Sequence, residues 1–216
     1  MPSRYISRDG EILADRFTDG PYIFQNVHTL GGAARHTAAH TALLRAAART
    51  LFGFDPEITA DDLRRRIARL TEACRMPSRV SVRAVVRLYP TGSIEIACDE
   101  PSIYAGYVLR SLRPDAICLR MAPPLPSLPT SAAEHTRLLA DTMARTRGAR
   151  TAILTDSDGT VISESAQPIF IVNGYTVSTP AVSAAEESVE RRLVRESLRQ
   201  TSNGADISRA RRCFFN

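Results

Sequence analysis

Two kinds of hydrophobic periodicity divide the first half of the chain into strands and helices. Apolar and polar residues alternate from Arg79 to Tyr89, which predicts a strand, and a shorter return strand follows from Ile94 to Cys98. From Thr37 to Leu51 the apolar residues recur every three or four positions, which predicts a helix that ends at Gly53. These patterns predict helices packed on a mostly antiparallel sheet.

Turn and capping residues predict the remaining elements of this half. Asp9-Gly10 favours a hairpin between two short strands, and a longer strand follows from Pro21 to Leu30. Thr59 is a good N-cap for a second helix, because acidic residues follow it at the positive end of the helix dipole. Two more strands are predicted over 103–109 and 116–121.

The second half begins after a segment rich in proline. Four prolines between Ala122 and Pro129 favour an extended path without backbone donors. After it we predict a helix over 132–147, a strand over 151–155, a tight turn over 156–159, a hairpin at Asn173-Gly174 and a helix over 185–200. A last strand is predicted to begin at Cys213. We therefore expect a domain over 1–122, a linker over 123–129 and a domain over 130–216.

Composition and charge narrow the class of protein. Hydrophobic residues are 44% and charged residues 24%, as in a water-soluble globular protein, and the first residues lack a signal-peptide pattern, so we expect a cytoplasmic location. The net charge of +5 comes from scattered arginines, so we expect neither a nucleic-acid nor a membrane partner. The four cysteines are far apart and favour reduced thiols. His36 and His40 share helical spacing but have no acidic partner nearby, so no metal is expected.

One stretch carries a family pattern. A strand and an acidic turn run from Ile153 to Glu164, and the hairpin at Asn173-Gly174 and the pair Thr179-Pro180 follow in order. This order and spacing resemble the fold-type IV pyridoxal-phosphate enzymes, the aminotransferase class IV family. The family includes branched-chain and D-amino acid aminotransferases and aminodeoxychorismate lyases. Upstream, the segments that begin at Asp19-Gly20 and at His40 resemble the same family more weakly.

The resemblance implies a fold and an assembly. It implies an α+β protein of two domains, with a small N-terminal α/β domain and a barrel-like β domain. The latter is shorter here than in the family, because the chain stops before the segment that finishes the family's phosphate site. The resemblance also implies a homodimer, with a small-molecule ligand in the cleft between the domains.

The cofactor residues of the family are kept only in part. Family members hold pyridoxal phosphate (PLP) through a lysine Schiff base, yet all 28 basic side chains of this chain are arginine. Leu43 stands where the family has a phosphate-binding arginine, and Arg45 lies about 200° further around the helix. We therefore predict no catalytic residue and no tightly bound cofactor.

Four residues remain as candidates for cofactor contacts. Ser188, Val189 and Glu190 match the helix start that surrounds the phosphate, although the carboxylate of Glu190 would repel it. Glu164 matches the carboxylate that pairs with the pyridinium nitrogen, but it is equally well explained as a polar residue at the end of a strand.

Two hypotheses for function follow from these residues. The first is a pseudoenzyme, branched-chain aminotransferase-like in fold, that no longer transaminates and binds a small molecule or a partner. The second is a working PLP-dependent aminotransferase or aminodeoxychorismate lyase-like enzyme, acting on an amino acid or an aminochorismate-type substrate. Glu164 and the retained hairpin favour the second, and the missing lysine favours the first.

Overall fold

The structure is a computed structural model that describes residues 5–14, 16–30, 32–76, 81–101, 115–162, 168–174, 176–182, 187–201 and 207–209. The chain divides into two compact units, residues 1–112 and 113–216. The proline-rich segment lies within the second unit, because the strands before and after it pair with each other.

A six-stranded antiparallel sheet forms the centre of the first unit, with strand order β2-β1-β6-β5-β3-β4. Its strands are β1 (Ile6–Arg8), β2 (Glu11–Leu13), β3 (Ile23–Leu30), β4 (Ala33–Ala34), β5 (Val82–Leu88) and β6 (Ile94–Pro101). The predicted hairpin between β1 and β2 is confirmed. Asp9 and Gly10 have φ of 49° and 95°, and positive φ at both central residues matches the twist of the paired strands.

The described part of the first unit has two helices, and the helix ends that the sequence predicted are confirmed. α1 (Thr37–Phe52) stops at Gly53, whose φ is 73° and whose N–H donates to the carbonyl of Ala48 at 3.1 Å. α2 (Ala60–Ala73) starts after Thr59, whose hydroxyl accepts from the N–H of Asp62 at 3.1 Å.

The helices bury one face of the sheet, which forms the core of this unit. α1 packs on β3, and α2 packs on β1, β4 and β6. Val27, Ala84 and Ile96 lie on this face and are fully buried beneath Leu44 and Ile67. The alternation in β5 and β6 thus places the apolar side chains towards the helices.

The second unit contains two parallel strand pairs, each connected through a helix. β7 (Ala116–Arg120), α3 (Ser131–Thr146) and β8 (Thr151–Thr155) form the first, in which Ala140 and Ala144 pack against Leu119 and Leu154. The second consists of β10 (Thr176–Thr179), α4 (Val189–Thr201) and β11 (Ile207–Arg209), and β9 (Ile171–Asn173) joins β10 in a hairpin.

Some predicted elements lie outside the described residues. These are the strand over 103–109 and the strand beginning at Cys213. In the described part of the chain, none of the helices has the length and hydropathy that a membrane crossing requires.

Candidate functional site

Three of the four candidate cofactor residues lie together at the start of α4. Ser188 precedes the helix, and its hydroxyl accepts from the N–H of Arg191 at 3.2 Å. Ser188 and Val189 are buried, and Glu190 is the second residue of the helix. The first turn of an α-helix presents N–H groups without helical partners and a partial positive charge, so it attracts anions.

Arg191 connects this helix start to the end of the β9–β10 hairpin. Its guanidinium donates to the carbonyl oxygen of Pro180 and lies 3.7 Å from the carboxylate of Glu187. Thr179 is buried, and its hydroxyl donates to the carbonyl of Ile169 at 2.7 Å. The Thr179-Pro180 pair is thereby held beside the first turn of α4.

Glu190 and Arg191 are the two ionisable groups in the described part of this cluster whose pKa values are shifted. Burial raises the pKa of Glu190, and hydrogen bonds from its own N–H and from the Ser188 hydroxyl only partly offset that effect. Burial also lowers the pKa of Arg191, against the opposing effect of Glu187. A carboxyl group therefore lies on the helix N-terminus and holds its proton more firmly than an exposed glutamate would.

The fourth candidate, Glu164, lies outside the described residues. The turn that leads towards it is described, and the predicted turn over 156–159 is confirmed. The Asp156 carboxylate accepts from the N–H groups of Asp158 and Thr160 at 2.9 and 2.8 Å, and an isolated bridge then pairs Thr155 with Val161.

The first helix offers no free arginine in the place of Leu43. Arg45 donates two hydrogen bonds to Asp55, at 2.7 and 2.6 Å. His40 is buried, and its Nδ1 lies 2.9 Å from the side-chain oxygen of Gln25. His36 lies at the helix N-cap with φ 52°.

The sequence interpretation missed a charged cluster in the first unit. Glu95 on β6 is 0% exposed and accepts from Arg8 Nε at 2.6 Å and from the hydroxyl of Tyr89 at 2.9 Å. The backbone N–H and the hydroxyl of Thr18 also donate to it. The available signal was a glutamate between Ile94 and Ile96, on the strand face opposite those two residues.

A cavity of about 390 Å³ also lies in the first unit, between α2 and the β3–β4 hairpin. Gly32, Ala33 and Ala68 are among the residues that line this cavity, and the charged residues Arg64 and Glu72 lie on it as well. Arg64 donates to Asp61 at 2.5 Å and to Thr37 at 3.2 Å, so its guanidinium is already engaged. Contacts within the first unit therefore hold the basic group on this cavity in place.

Solved structures share the fold of this chain. An aminotransferase from Brucella abortus bound to the co-factor PLP has a TM-score of 0.73 at 15% identity, over 96% of this chain and 81% of that one. The branched-chain amino acid aminotransferase of Escherichia coli has a TM-score of 0.72 at 15% identity, over 96% and 77%. A hypothetical aminotransferase from Mycobacterium tuberculosis, in an α-ketoglutarate- and PMP-bound form, has a TM-score of 0.72 at 18% identity, over 96% and 81%. A search of curated proteins gave no match.

These likenesses confirm the predicted two-part α+β fold and correct one other prediction. From the missing lysine, Leu43 and Glu190 we predicted no tightly bound cofactor, and that prediction is wrong, because a protein with this fold is bound to PLP. Those three side chains were too narrow a criterion, since the backbone N–H groups of a helix N-terminus and neighbouring hydroxyl groups can also hold a phosphorylated ligand.

A family model identifies the chain more directly than the fold does. The model of amino-transferase class IV matches residues 26–209, which include most of β3, the strands β4, β5 and β6, the turn at Asp156 and the start of α4. The chain belongs to the amino-transferase class IV family.

Proposed function

We propose that this chain is a class IV aminotransferase homologue that binds PLP, or its amine form pyridoxamine phosphate (PMP), without a covalent bond and does not transaminate. The absence of lysine carries the proposal. A Schiff base needs a free amine, and the guanidinium of arginine remains protonated and does not provide one. Side chains of this protein therefore have no means of holding the aldehyde as an imine.

The start of α4 supports a phosphorylated ligand in part. Its backbone N–H groups and the Ser188 hydroxyl are suitable donors for a phosphate, and Arg191 keeps the Pro180 carbonyl beside them. Glu190 is the residue that does not suit a dianion while it is ionised. Bound PLP supplies an electron sink to the enzymes that use it.

An experiment on intact protein tests the absence of a covalent bond. The purified chain is mixed with PLP, its visible spectrum is recorded, and borohydride reduction is followed by intact-mass measurement and peptide mapping. We expect bound ligand by equilibrium dialysis and no reduced adduct on any internal peptide. An adduct on an internal peptide would contradict the proposal, whereas an adduct on the N-terminal peptide reports only the terminal amine.

A second candidate is a working enzyme of the same class. It is favoured by the fold shared with an aminotransferase in a PMP-bound form, because PMP carries an amine and needs no imine with the protein. PMP and α-ketoglutarate are incubated with the chain, and glutamate is measured over time. The control is PMP with α-ketoglutarate and no protein. Glutamate formation faster than in this control would favour the enzyme and overturn the pseudoenzyme proposal.

We further propose that the chain forms a homodimer, which the family resemblance implies. Sedimentation velocity at several protein concentrations tests this independently of ligand binding. A single species at the monomer mass of 23.7 kDa would contradict it.

A further inference from the structure

Two cysteines of the first unit, Cys74 and Cys98, belong to elements that pack against each other. Cys74 follows the last residue of α2, and Cys98 lies on β6, which α2 contacts. Cys98 pairs with Ala84, whose side chain lies on the sheet face beneath the helices, and Cys98 is 0% exposed. Opposite residues of paired strands share a face, so the Cys98 thiol lies on the face that α2 covers.

The Cys74 side chain reaches the sheet at the residue opposite Cys98. Its Sγ donates to the carbonyl of Tyr5 at 3.9 Å. In the pairing of β1 with β6, Ile6 lies opposite Ala97, and the same register places Tyr5 opposite Cys98. Opposite residues of antiparallel strands have Cα atoms about 4.5–5.5 Å apart. Both thiols therefore lie beside Tyr5, on the helix-facing side of the sheet.

Hydrogen bonds fix the backbone turn that carries Cys74. The N–H of Cys74 donates to the carbonyl of Leu70, and the N–H of Met76 donates to that of Thr71, both at 2.9 Å. Arg75 between them has φ 51°, the left-handed conformation at which helices commonly end. The turn holds the Cys74 side chain towards the sheet, and a rotation of that side chain moves its sulfur without unfolding the helix.

The environments of the two thiols differ. Cys74 is half-buried, so a small oxidant has access to it. Burial, followed by the effects of Cys74 and Asp99, raises the pKa of Cys98 to about 12. A thiol with such a pKa stays protonated at neutral pH and reacts slowly with oxidants. Cys74 is thus the thiol that reacts first, and Cys98 is the neighbour that can react with its oxidised form.

We propose that Cys74 and Cys98 are an oxidative modification site, at which hydrogen peroxide converts the two thiols into a disulfide between the end of α2 and β6. In the first step the O–O bond of peroxide breaks, Cys74 becomes a sulfenic acid, and water leaves. In the second step the Cys98 sulfur displaces the hydroxyl group, which leaves as water with the Cys98 proton. Each sulfur loses one electron, and each peroxide oxygen gains one.

The bond would join the end of α2 to an interior strand of the sheet and close a loop of about 25 residues. Thr71 and Glu72, on the last turn of α2, line the cavity of the first unit, so oxidation would also fix one wall of that cavity. A reducing thiol reverses the change. This inference does not depend on the binding of PLP or PMP.

The test compares four proteins: the natural chain, Cys74→Ser, Cys98→Ala and the control Cys118→Ser, which removes an exposed thiol of the second unit. Each is treated with hydrogen peroxide, the remaining thiols are alkylated, and intact mass and unreduced peptide maps are measured. We expect the natural chain and Cys118→Ser to lose about 2 Da, the mass of two hydrogen atoms, and to give a peptide pair joined through Cys74 and Cys98. Cys74→Ser and Cys98→Ala should give no such pair.

Thermal unfolding adds a second measurement. Oxidation should raise the Tm of the natural chain by about 5 °C or more, because a disulfide restricts the unfolded chain, and dithiothreitol should reverse the rise. Cys74→Ser should show no rise. Cys98→Ala removes a core thiol, and if this variant does not fold, Cys74→Ser gives the same comparison.

Three outcomes would overturn the proposal. One is a natural chain in which Cys74 gains oxygen but forms no bond to Cys98, and another is a natural chain in which both thiols stay unoxidised. The third is a disulfide that involves Cys118 or Cys213 in place of this pair. PLP and PMP are absent from the experiment, so none of these outcomes bears on the proposed function.

Discussion

Two glutamates, one in each unit, show how the number of hydrogen-bond donors affects the pKa of a carboxyl group that is fully or partly buried. Glu95 is fully buried, and burial alone would raise its pKa. The hydrogen bonds from Thr18, Arg8 and Tyr89 together outweigh burial, and they hold the pKa of Glu95 below its ordinary value of 4.5.

Glu190 has the opposite balance. Two local donors surround it, burial dominates, and its pKa lies above the same ordinary value. A carboxyl group with many donors is a fixed structural anion, whereas one with few donors is ready to bind a proton. The difference teaches that burial by itself does not identify a functional acid, and the donors must be counted.

The largest expected effect is at Glu95. Glu95→Gln removes the charge that Arg8 and two hydroxyl groups contact, and leaves buried donors with poorer partners. We expect a loss of about 3 kcal/mol in the free energy of unfolding. Urea denaturation followed by circular dichroism measures it.

A matched control keeps this prediction specific. Glu57→Gln removes the same charge at an exposed position of the first unit, and we expect a change within about 0.5 kcal/mol. A loss at Glu95→Gln as small as that of the control would show that Glu95 does not stabilise the unit through its charge.

Tyr89→Phe should have the next largest effect on the unfolding free energy. The Tyr89 hydroxyl lies 2.9 Å from both the Glu95 carboxylate and the carbonyl of Thr18. Its removal should cost about 1–2 kcal/mol in unfolding free energy. In the double variant with Glu95→Gln the cost should shrink, because the shared hydrogen bond is already weakened. Strictly additive costs would mean that the two side chains do not act as a unit.

The elements that the sequence predicted well are those whose signals are local. Thr59 and Gly53 place helix ends because capping depends on neighbouring residues. The short strand β4, Ala33–Ala34, was missed because two alanines have neither a period nor a β preference. β11 was also missed, since three residues are too few to show alternation.

The sequence predicted the candidate site only where residues that are consecutive in the chain form it. Ser188 and Glu190 were placed at a helix start, although the helix begins at Val189, later than predicted, because the Ser188 side chain caps it. The donors of Glu95 come from Arg8, Thr18 and Tyr89, on three separate segments of the chain. Partners separated so widely along the chain cannot be read from local patterns, and neither can the balance of burial and hydrogen bonds that sets a pKa.

Ser188→Ala tests the side-chain hydrogen bond that lowers the pKa of Glu190. The hydroxyl caps α4 as Thr59 caps α2, so Ser188→Ala and Thr59→Ala should each cost about 1 kcal/mol in unfolding free energy. Only Ser188→Ala should also alter the pH dependence of stability, because it removes a hydrogen bond from Glu190. Denaturation at several pH values measures both effects. Identical pH profiles for the two variants would contradict the contact between Ser188 and Glu190.

The smallest expected effect is that of Glu190→Gln on stability, and its sign is opposite to that at Glu95. Because the folded-state pKa of Glu190 is raised, the folded protein keeps a proton that the unfolded chain releases from about pH 4.5 upwards. The natural chain therefore loses stability relative to Glu190→Gln as the pH rises through this window, by at most about 1.4 kcal/mol per pH unit. Above the folded-state pKa the difference in unfolding free energy becomes constant.

For Glu95 the lowered pKa gives the reverse. Its contribution to the unfolding free energy is present above pH 4.5 and is lost as the pH falls through the folded-state pKa. Unfolding free energies of the natural chain, Glu190→Gln and Glu95→Gln between about pH 3 and 8 measure both trends. If the two variants diverge from the natural chain in the same direction as the pH rises, burial and hydrogen bonds have the same balance at the two carboxyl groups, and the contrast between them is wrong.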